Sequence, residues 1–171
     1  GVFRVIYADP PWQYNDDLGQ GGSGAAQDHY PTMPLSALKA MRDELDGHIA
    51  SDAVLLCWAT FPLLPDALAL VDAWGFVYKT AFIWQKDGSA LGHYHKCEAE
   101  LLLVATHGSC VPTRDSGMPS QILRYARGAH SRKPEQVRGM IDLMWPDGPR
   151  LELFSRGPAP LGWTVWGNET S

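Results

Sequence analysis

Four consecutive residues, Asp9-Pro10-Pro11-Trp12, bring together an acid, two imino acids and a large aromatic. The prolines fix φ twice and remove two backbone donors, so the Pro10 carbonyl lies where it can only accept. An acidic side chain held beside that carbonyl is a rigid double hydrogen-bond acceptor, and Trp12 adds a flat wall. Such a set suits a planar group carrying an NH2. The N6 amine of adenine is a poor nucleophile because its lone pair is delocalised into the ring. If Asp9 and the Pro10 carbonyl accept its two hydrogens, the nitrogen gains sp3 character. Its lone pair can then attack an in-line methyl sulfonium, with orientation and electrostatics supplying the catalysis. Stacking on Trp12 would hold a base that has left its helix. Read as structure alone, the same residues are a turn: a capping acid, prolines ending a strand and a core tryptophan. The buried strand predicted before them favours the chemical reading.

The elements that must position this motif follow from the apolar pattern. Phe3 to Ala8 is β-branched and aromatic-rich, and reads as a strand stopped by the prolines. Residues 13 to 30 are polar and glycine-rich and predict a long loop, of the kind that is either functional or disordered. Helical spacing predicts helices over Leu35 to Leu45, Pro65 to Trp74 (with Gly75 as its stop) and Pro134 to Trp145. Strands are predicted over Ala53 to Thr60, Phe76 to Gln85, Ala99 to Ala105 and Arg150 to Phe154. Short extended pieces are predicted at Ile122 to Ala126 and at Val165-Trp166, and Lys86 to Lys96 reads as a loop. Strands that are apolar on both faces and alternate with helices predict an α/β fold with a mainly parallel sheet. In such folds ligands bind at the carboxyl ends of the strands. The residues after three strands should therefore converge: Asp9 to Trp12, the segment after Trp84, and Ser155-Arg156.

The bulk composition is compatible with this. A chain of 171 residues, 45% hydrophobic and 19% charged, predicts one domain over residues 1 to 171 with a real core and no separate target-recognition domain. It has no apolar run of the length that spans a membrane. The three cysteines, Cys57, Cys97 and Cys110, are sparse and odd in number, which fits a reducing cytoplasm rather than a disulfide framework. A formal net charge of -5 counts against a large basic face for nucleic acid. The one basic concentration is Arg124, Arg127, His130, Arg132, Lys133 and Arg138. It reads either as a solvated helix face with one ligand-binding lysine or as a local phosphate track.

Asp9-Pro10-Pro11-Trp12 after an apolar strand resembles the catalytic motif of the MT-A family of adenine-N6 methyltransferases, which includes eukaryotic mRNA enzymes and bacterial or phage DNA enzymes. Further segments resemble the family in order: His29-Tyr30-Pro31-Thr32-Met33, Ala73-Trp74-Gly75-Phe76, Phe82-Ile83-Trp84-Gln85-Lys86, Glu100-Leu101-Leu102-Leu103-Val104, His130-Ser131-Arg132-Lys133-Pro134-Glu135, Leu151-Glu152-Leu153-Phe154-Ser155-Arg156, Gly162-Trp163 and Gly167-Asn168-Glu169. The resemblance spans nearly the whole chain. It implies a permuted Rossmann-like, S-adenosylmethionine-dependent methyltransferase whose cofactor half follows the catalytic motif. By that resemblance Asp9, Lys133, Phe154, Arg156, Asn168 and Glu169 line the cofactor pocket. Lys133 would meet the methionine carboxylate, Asp9 the amino group, and Arg156, Asn168 and Glu169 the ribose hydroxyls. The Gly-Asn-Glu ending is of bacterial or phage type, so DNA is expected before RNA, with relaxed or short specificity and a preference for easily opened strands. The glycine-rich cofactor turn of ordinary methyltransferases is missing, and Ser155-Arg156-Gly157 stands in its place.

Tyr14, Tyr30, Lys86 and Lys96 are expected on the substrate side, with the tyrosines at the base pocket. His93-Tyr94-His95-Lys96-Cys97-Glu98 lacks four ligands at loop-type spacing, so it reads as a second active-site loop, with Lys96 or His95 near phosphate, rather than a metal site. RNA as the substrate, and a non-catalytic nucleic-acid-binding role on the same fold, are the alternatives. Retention of Asp9 and Trp12 speaks against the second.

Overall fold

A computed structural model describes residues 1–14, 31–128 and 132–167. Tyr30, Asn168 and Glu169, with His29, His130 and Ser131, lie outside the described residues. Strand β1 is Phe3–Ala8, as expected. Helices α1 (Leu35–Ala40) and α2 (Arg42–Leu45) follow, then β2 (Ile49–Ala59), a 3-10 turn (Phe61–Leu63) and α3 (Leu64–Ala73). After these come β3 (Val77–Leu91), β4 (Lys96–His107), β5 (Ile122–Leu123), α4 (Gln136–Met144), β6 (Arg150–Leu153) and β7 (Trp163–Trp166).

The seven strands form one sheet in the order β5-β3-β4-β2-β1-β6-β7. The pairs β1–β2, β1–β6, β6–β7 and β3–β5 are parallel, and only β4 runs against its neighbours β2 and β3. The sheet is mainly parallel, as the apolar runs require. Alternation along each strand feeds two cores. Ile6, Ala8, Leu55 and Leu103 face α1 and α3 with Leu38, Leu70 and Trp74. Val5, Tyr7, Leu56, Trp58 and Leu102 face α4 with Val137, Met140 and Ile141. Both faces of the central strands are thus covered, so their sequences read as continuous hydrophobic runs.

Register sets the functional end. Ala8, the last residue of β1, pairs with Cys57 of β2 and Leu153 of β6, so Asp9 emerges between two neighbouring strand exits.

Two sequence expectations are corrected. The single helix over Leu35 to Leu45 is two short helices that part at Met41, whose amide bonds back to the Leu38 carbonyl in a tighter turn. The expected loop from Lys86 to Lys96 is the outer half of a hairpin: β3 continues to Leu91, and Leu91 pairs with Lys96. Its arms are exposed, so no apolar alternation marks them. A register shift between Gln85 and Ala90 takes up Lys86 to Ser89, with Gly88 at φ 104°.

Arg138 is a third correction. It belongs neither to a solvated face nor to a phosphate track. Its guanidinium grips the buried Glu152 carboxylate of β6 at 3.0 and 2.7 Å, tying α4 to the sheet. Removing one partner strands the other. Arg138→Met should therefore cost about 3 kcal/mol in urea unfolding, and adding Glu152→Leu should recover much of it.

Candidate active site

The Asp9-Pro10-Pro11-Trp12 turn is fastened at three points. The Trp12 amide donates to the Pro10 carbonyl at 2.8 Å, the Met33 amide to the Pro11 carbonyl at 2.9 Å, and the Trp12 indole Nε1 to the Trp58 carbonyl at 3.1 Å. The Pro10 carbonyl is therefore not wholly unused, as the residue pattern alone implies: it accepts one bond from its own turn and keeps its second lone-pair direction. That internal bond also fixes where the oxygen points. The Trp12 ring is 8% exposed and packs mostly into the core.

Asp9 is half-buried and meets Lys133, whose Nζ lies 3.7 Å from its Oδ1. The same ammonium lies 3.0 Å from Glu100 of β4, and Glu100 takes Lys86 of β3 at 2.9 Å. Four charges thus form a chain, Asp9–Lys133–Glu100–Lys86, across the carboxyl ends of β1 and β3. Burial pushes the Asp9 carboxyl above its usual range; Lys133 and Arg156 oppose this and Glu100 adds to it. Burial also pushes Glu100 up, but Lys133 and Lys86 outweigh it, and its carboxyl sits below the usual value. Burial pulls Lys133 down, yet Asp9 and Glu100 win and its ammonium is held more firmly. Tyr14 joins the group: it is half-buried, its hydroxyl lies 3.5 Å from that of Thr60, and burial raises its pKa, with Glu100, Lys133 and Asp9 all acting on it.

Residues from the three expected strand exits meet here. Asp9 leaves β1, Lys86 follows Trp84 along β3, and Arg156, just beyond β6, acts electrostatically on Asp9. Phe154 directly follows β6 and adopts φ 62°, the left-handed region that a bulky residue rarely enters. Its ring meets Trp166 edge to face at 5.5 Å, and the Ser155 amide donates to the Trp166 carbonyl at 3.0 Å. Gly167 lies so close that a Cβ there would land on the Ser155 amide nitrogen and carbonyl oxygen. The exits of β6 and β7 are therefore joined backbone to backbone.

Lys96 is not brought into this group: it is exposed at the far end of the hairpin, four residues before Glu100. Glu100 itself is the residue that the sequence reading passed over. Its signal was present, a lone acid heading the run Glu100-Leu101-Leu102-Leu103-Val104, since an acid buried at 7% exposure needs a partner. Among the described residues no group of three His, Cys, Asp or Glu side chains could hold a metal.

The sheet order, with one reversed strand and the Asp9 turn preceding the β6 exit in the chain, defines a permuted Rossmann-like methyltransferase fold. The family described as MT-A70 matches residues 3–169, and the chain belongs to it. It is 33% identical over 183 residues to the type II methyltransferase M.MunI of Mycoplasma sp., covering 98% of this chain and 77% of that protein. It is 25% identical over 178 residues to the N(6)-adenosine-methyltransferase MT-A70-like protein of Arabidopsis thaliana, and 24% identical over 178 residues to the human N(6)-adenosine-methyltransferase catalytic subunit METTL3. Those two matches cover 99% of this chain but only 24% and 28% of the relatives.

Two predictions follow from the geometry. In Lys133→Met, Asp9 and Glu100 lose their shared cation: the Asp9 pKa, already raised, rises further, and that of Glu100 rises above its unfolded value. The native state then binds more protons than the unfolded chain, so stability falls as pH rises. The melting-temperature deficit against wild type should be small at pH 5 and large at pH 8, each proton so retained costing about 1.4 kcal/mol per pH unit. Gly167→Ala should force apart the β6 and β7 exits, lowering stability in urea by about 1–3 kcal/mol.

Proposed function

We propose that the protein transfers a methyl group from S-adenosylmethionine to N6 of adenine in DNA, at short or relaxed target sequences. The observation that carries this reading is the meeting of Asp9, the oriented Pro10 carbonyl and Lys133 at one strand exit, in a chain whose family match runs almost end to end. The donor set suits the cofactor. Lys133 is a cation for its carboxylate and Asp9 an anion for its ammonium. Phe154 and Arg156 stand at the turn that follows β6, where the ribose and base would lie. Asn168 and Glu169 complete the proposed set from outside the described residues. When bound, S-adenosylmethionine supplies an electrophilic methyl group on a sulfonium.

The chain's own residues orient and desolvate. Asp9 and the remaining lone pair of the Pro10 carbonyl accept the two amine hydrogens and direct the nitrogen lone pair away from the ring. Burial strengthens those bonds. As the nitrogen becomes cationic on attack, its excess proton is held at Asp9, whose carboxyl is already shifted toward protonation. No strong base is required. Tyr14 lies beside this centre, where it would border the base together with Tyr30.

Nucleic acid has a place to lie despite the net charge of -5. Arg124, Arg127 and Arg132 are exposed in the stretch that follows β5, at the same end of the sheet as Asp9. The Arg127 amide donates to the Asp87 carboxylate at 2.8 Å, which fixes that stretch to the hairpin bearing Lys86 and Lys96. DNA is favoured over RNA by the 33% match to a type II methyltransferase against 24–25% to the adenosine enzymes. RNA is the second reading, because the base pocket does not contact the 2′-hydroxyl that tells the two apart. Three free thiols agree with a reducing cytoplasmic setting. Among the described residues no helix is long and apolar enough to cross a membrane.

Purified protein, tritiated S-adenosylmethionine and matched DNA and RNA oligonucleotides test the reading. Label should enter adenine N6, in DNA more than RNA, and Asp9→Ala should reduce incorporation about a hundredfold or more. Full activity in Asp9→Ala would sink the mechanism.

A further inference from the structure

The proposed reaction uses Asp9 and Lys133 but leaves Glu100 and Lys86 without a task. Their placement is specific. Glu100 is the register partner of Trp84 across β3 and β4. Lys86 Nζ lies 5.4 Å above the Trp84 ring and Lys133 Nζ 5.6 Å above the Trp58 ring, and the two indoles meet edge to face at 5.8 Å. Two ammonium groups are thus seated on one aromatic floor with the Glu100 carboxylate between them, at 2.9 and 3.0 Å. Asp9 stands outside this triad, 3.7 Å from Lys133. The four charges sum to zero, and Lys133 is drawn closer to Glu100 than to Asp9.

We propose that Glu100 is a positioning residue that holds Lys133 back from Asp9, and that Lys86 is the cation that keeps Glu100 in that role. The inference rests on the reading above, in which Asp9 must keep its lone pairs for N–H donors and Lys133 must remain able to turn toward a carboxylate. Were Glu100 absent, Lys133 would close fully onto Asp9 and occupy the acceptor. Were Lys86 absent, Glu100 would draw Lys133 further away and leave Asp9 without its cation. The two losses act on Asp9 with opposite sign. Loss of either charge through space would also shift Asp9 in these two directions, so ligand binding separates the readings: without repositioning of Lys133, loss of the Glu100 charge leaves binding of a carboxylate-bearing ligand unchanged or tighter. The other groups facing Asp9 are Arg156, a cation from beyond β6, with the Tyr7 hydroxyl of β1, the Cys57 thiol of β2 and the Tyr14 hydroxyl near enough to feel its charge.

The test follows the Asp9 side-chain carboxyl by carbon-13 NMR titration of the unliganded protein, in wild type, Glu100→Gln and Lys86→Met. Asp9 should titrate about one pH unit lower in Glu100→Gln, where a negative neighbour is gone and Lys133 closes in, and higher in Lys86→Met. Calorimetric binding of S-adenosylhomocysteine should weaken about tenfold in Glu100→Gln, about 1.4 kcal/mol, because Lys133 must first leave Asp9. Shifts of the same sign in both variants, no shifts, or S-adenosylhomocysteine binding undiminished in Glu100→Gln overturn the proposal. If Glu100→Gln does not fold, an Asp9 midpoint that fails to rise in Lys86→Met, whose lysine is partly exposed, is sufficient to overturn it. Wild-type protein that binds neither S-adenosylmethionine nor its product would instead defeat the functional reading, while the titration still decides whether Glu100 positions Lys133.

Discussion

A carboxylate at the end of a buried strand is expensive to keep charged, and in this protein Asp9 sits at such a place, 3.7 Å from the Lys133 ammonium. Lys133 serves both Asp9 and Glu100, so the positions of β1, β4 and the segment leading into α4 depend on one another. Moving any of them changes the electrostatics of the other two. Burial works against the charged forms of Asp9, Glu100 and Lys133. Desolvation alone would neutralise the carboxylates, and it is the alternation of sign along Asp9–Lys133–Glu100–Lys86 that retains charge in a dry place. The aromatic floor of Trp58 and Trp84 fits the same logic, because an indole face solvates an ammonium without competing for the carboxylate oxygens.

The topology explains how residues so distant in sequence reach one another. β1 lies near the middle of the sheet with β2 on one side and β6 on the other. The Asp9 turn therefore opens between a strand that follows it closely in the chain and one that arrives near the end. The reversed strand β4 lies beyond β2, and its amino-terminal half, with Glu100, consequently points to the same end as the carboxyl termini of β1 and β3. An acid early in β4 can thus face an acid just past the end of β1.

How much of this was legible in the sequence depended on whether local chemistry or long-range pairing decided the outcome. Phe3–Ala8 was legible to the residue, because an apolar β-branched run ending in two prolines admits one reading. The Asp9 turn was legible for the same reason. The outer hairpin was not: ladder bonds use the backbone, and arms that are exposed on both faces carry Asp87, Gly88 and Ser89 as readily as a loop would. Glu100 was passed over because it heads a leucine run and reads as the strand's polar edge. Only the fold shows that two lysines, from β3 and from before α4, converge on it. Arg138 was misread because its partner Glu152 lies on β6, and no local spacing reveals a cross-element ion pair.

The turn after β6 divides two backbone requirements between two residues. Ordinary methyltransferase folds place glycines there, which supply a positive φ and room for close backbone approach at the same residues. In this chain the two requirements are met at different places. Phe154 takes the positive φ itself, at a cost of about 1–2 kcal/mol for a residue with a Cβ, and its ring is held in place by Trp166. The close approach comes instead from Gly167 at the exit of β7, whose missing Cβ lets that backbone lie against Ser155. An aromatic side chain can therefore occupy this position and pack on Trp166. The strain at Phe154 is tolerable because the neighbouring strand supplies the space. Each of the two residues makes sense only in the presence of the other.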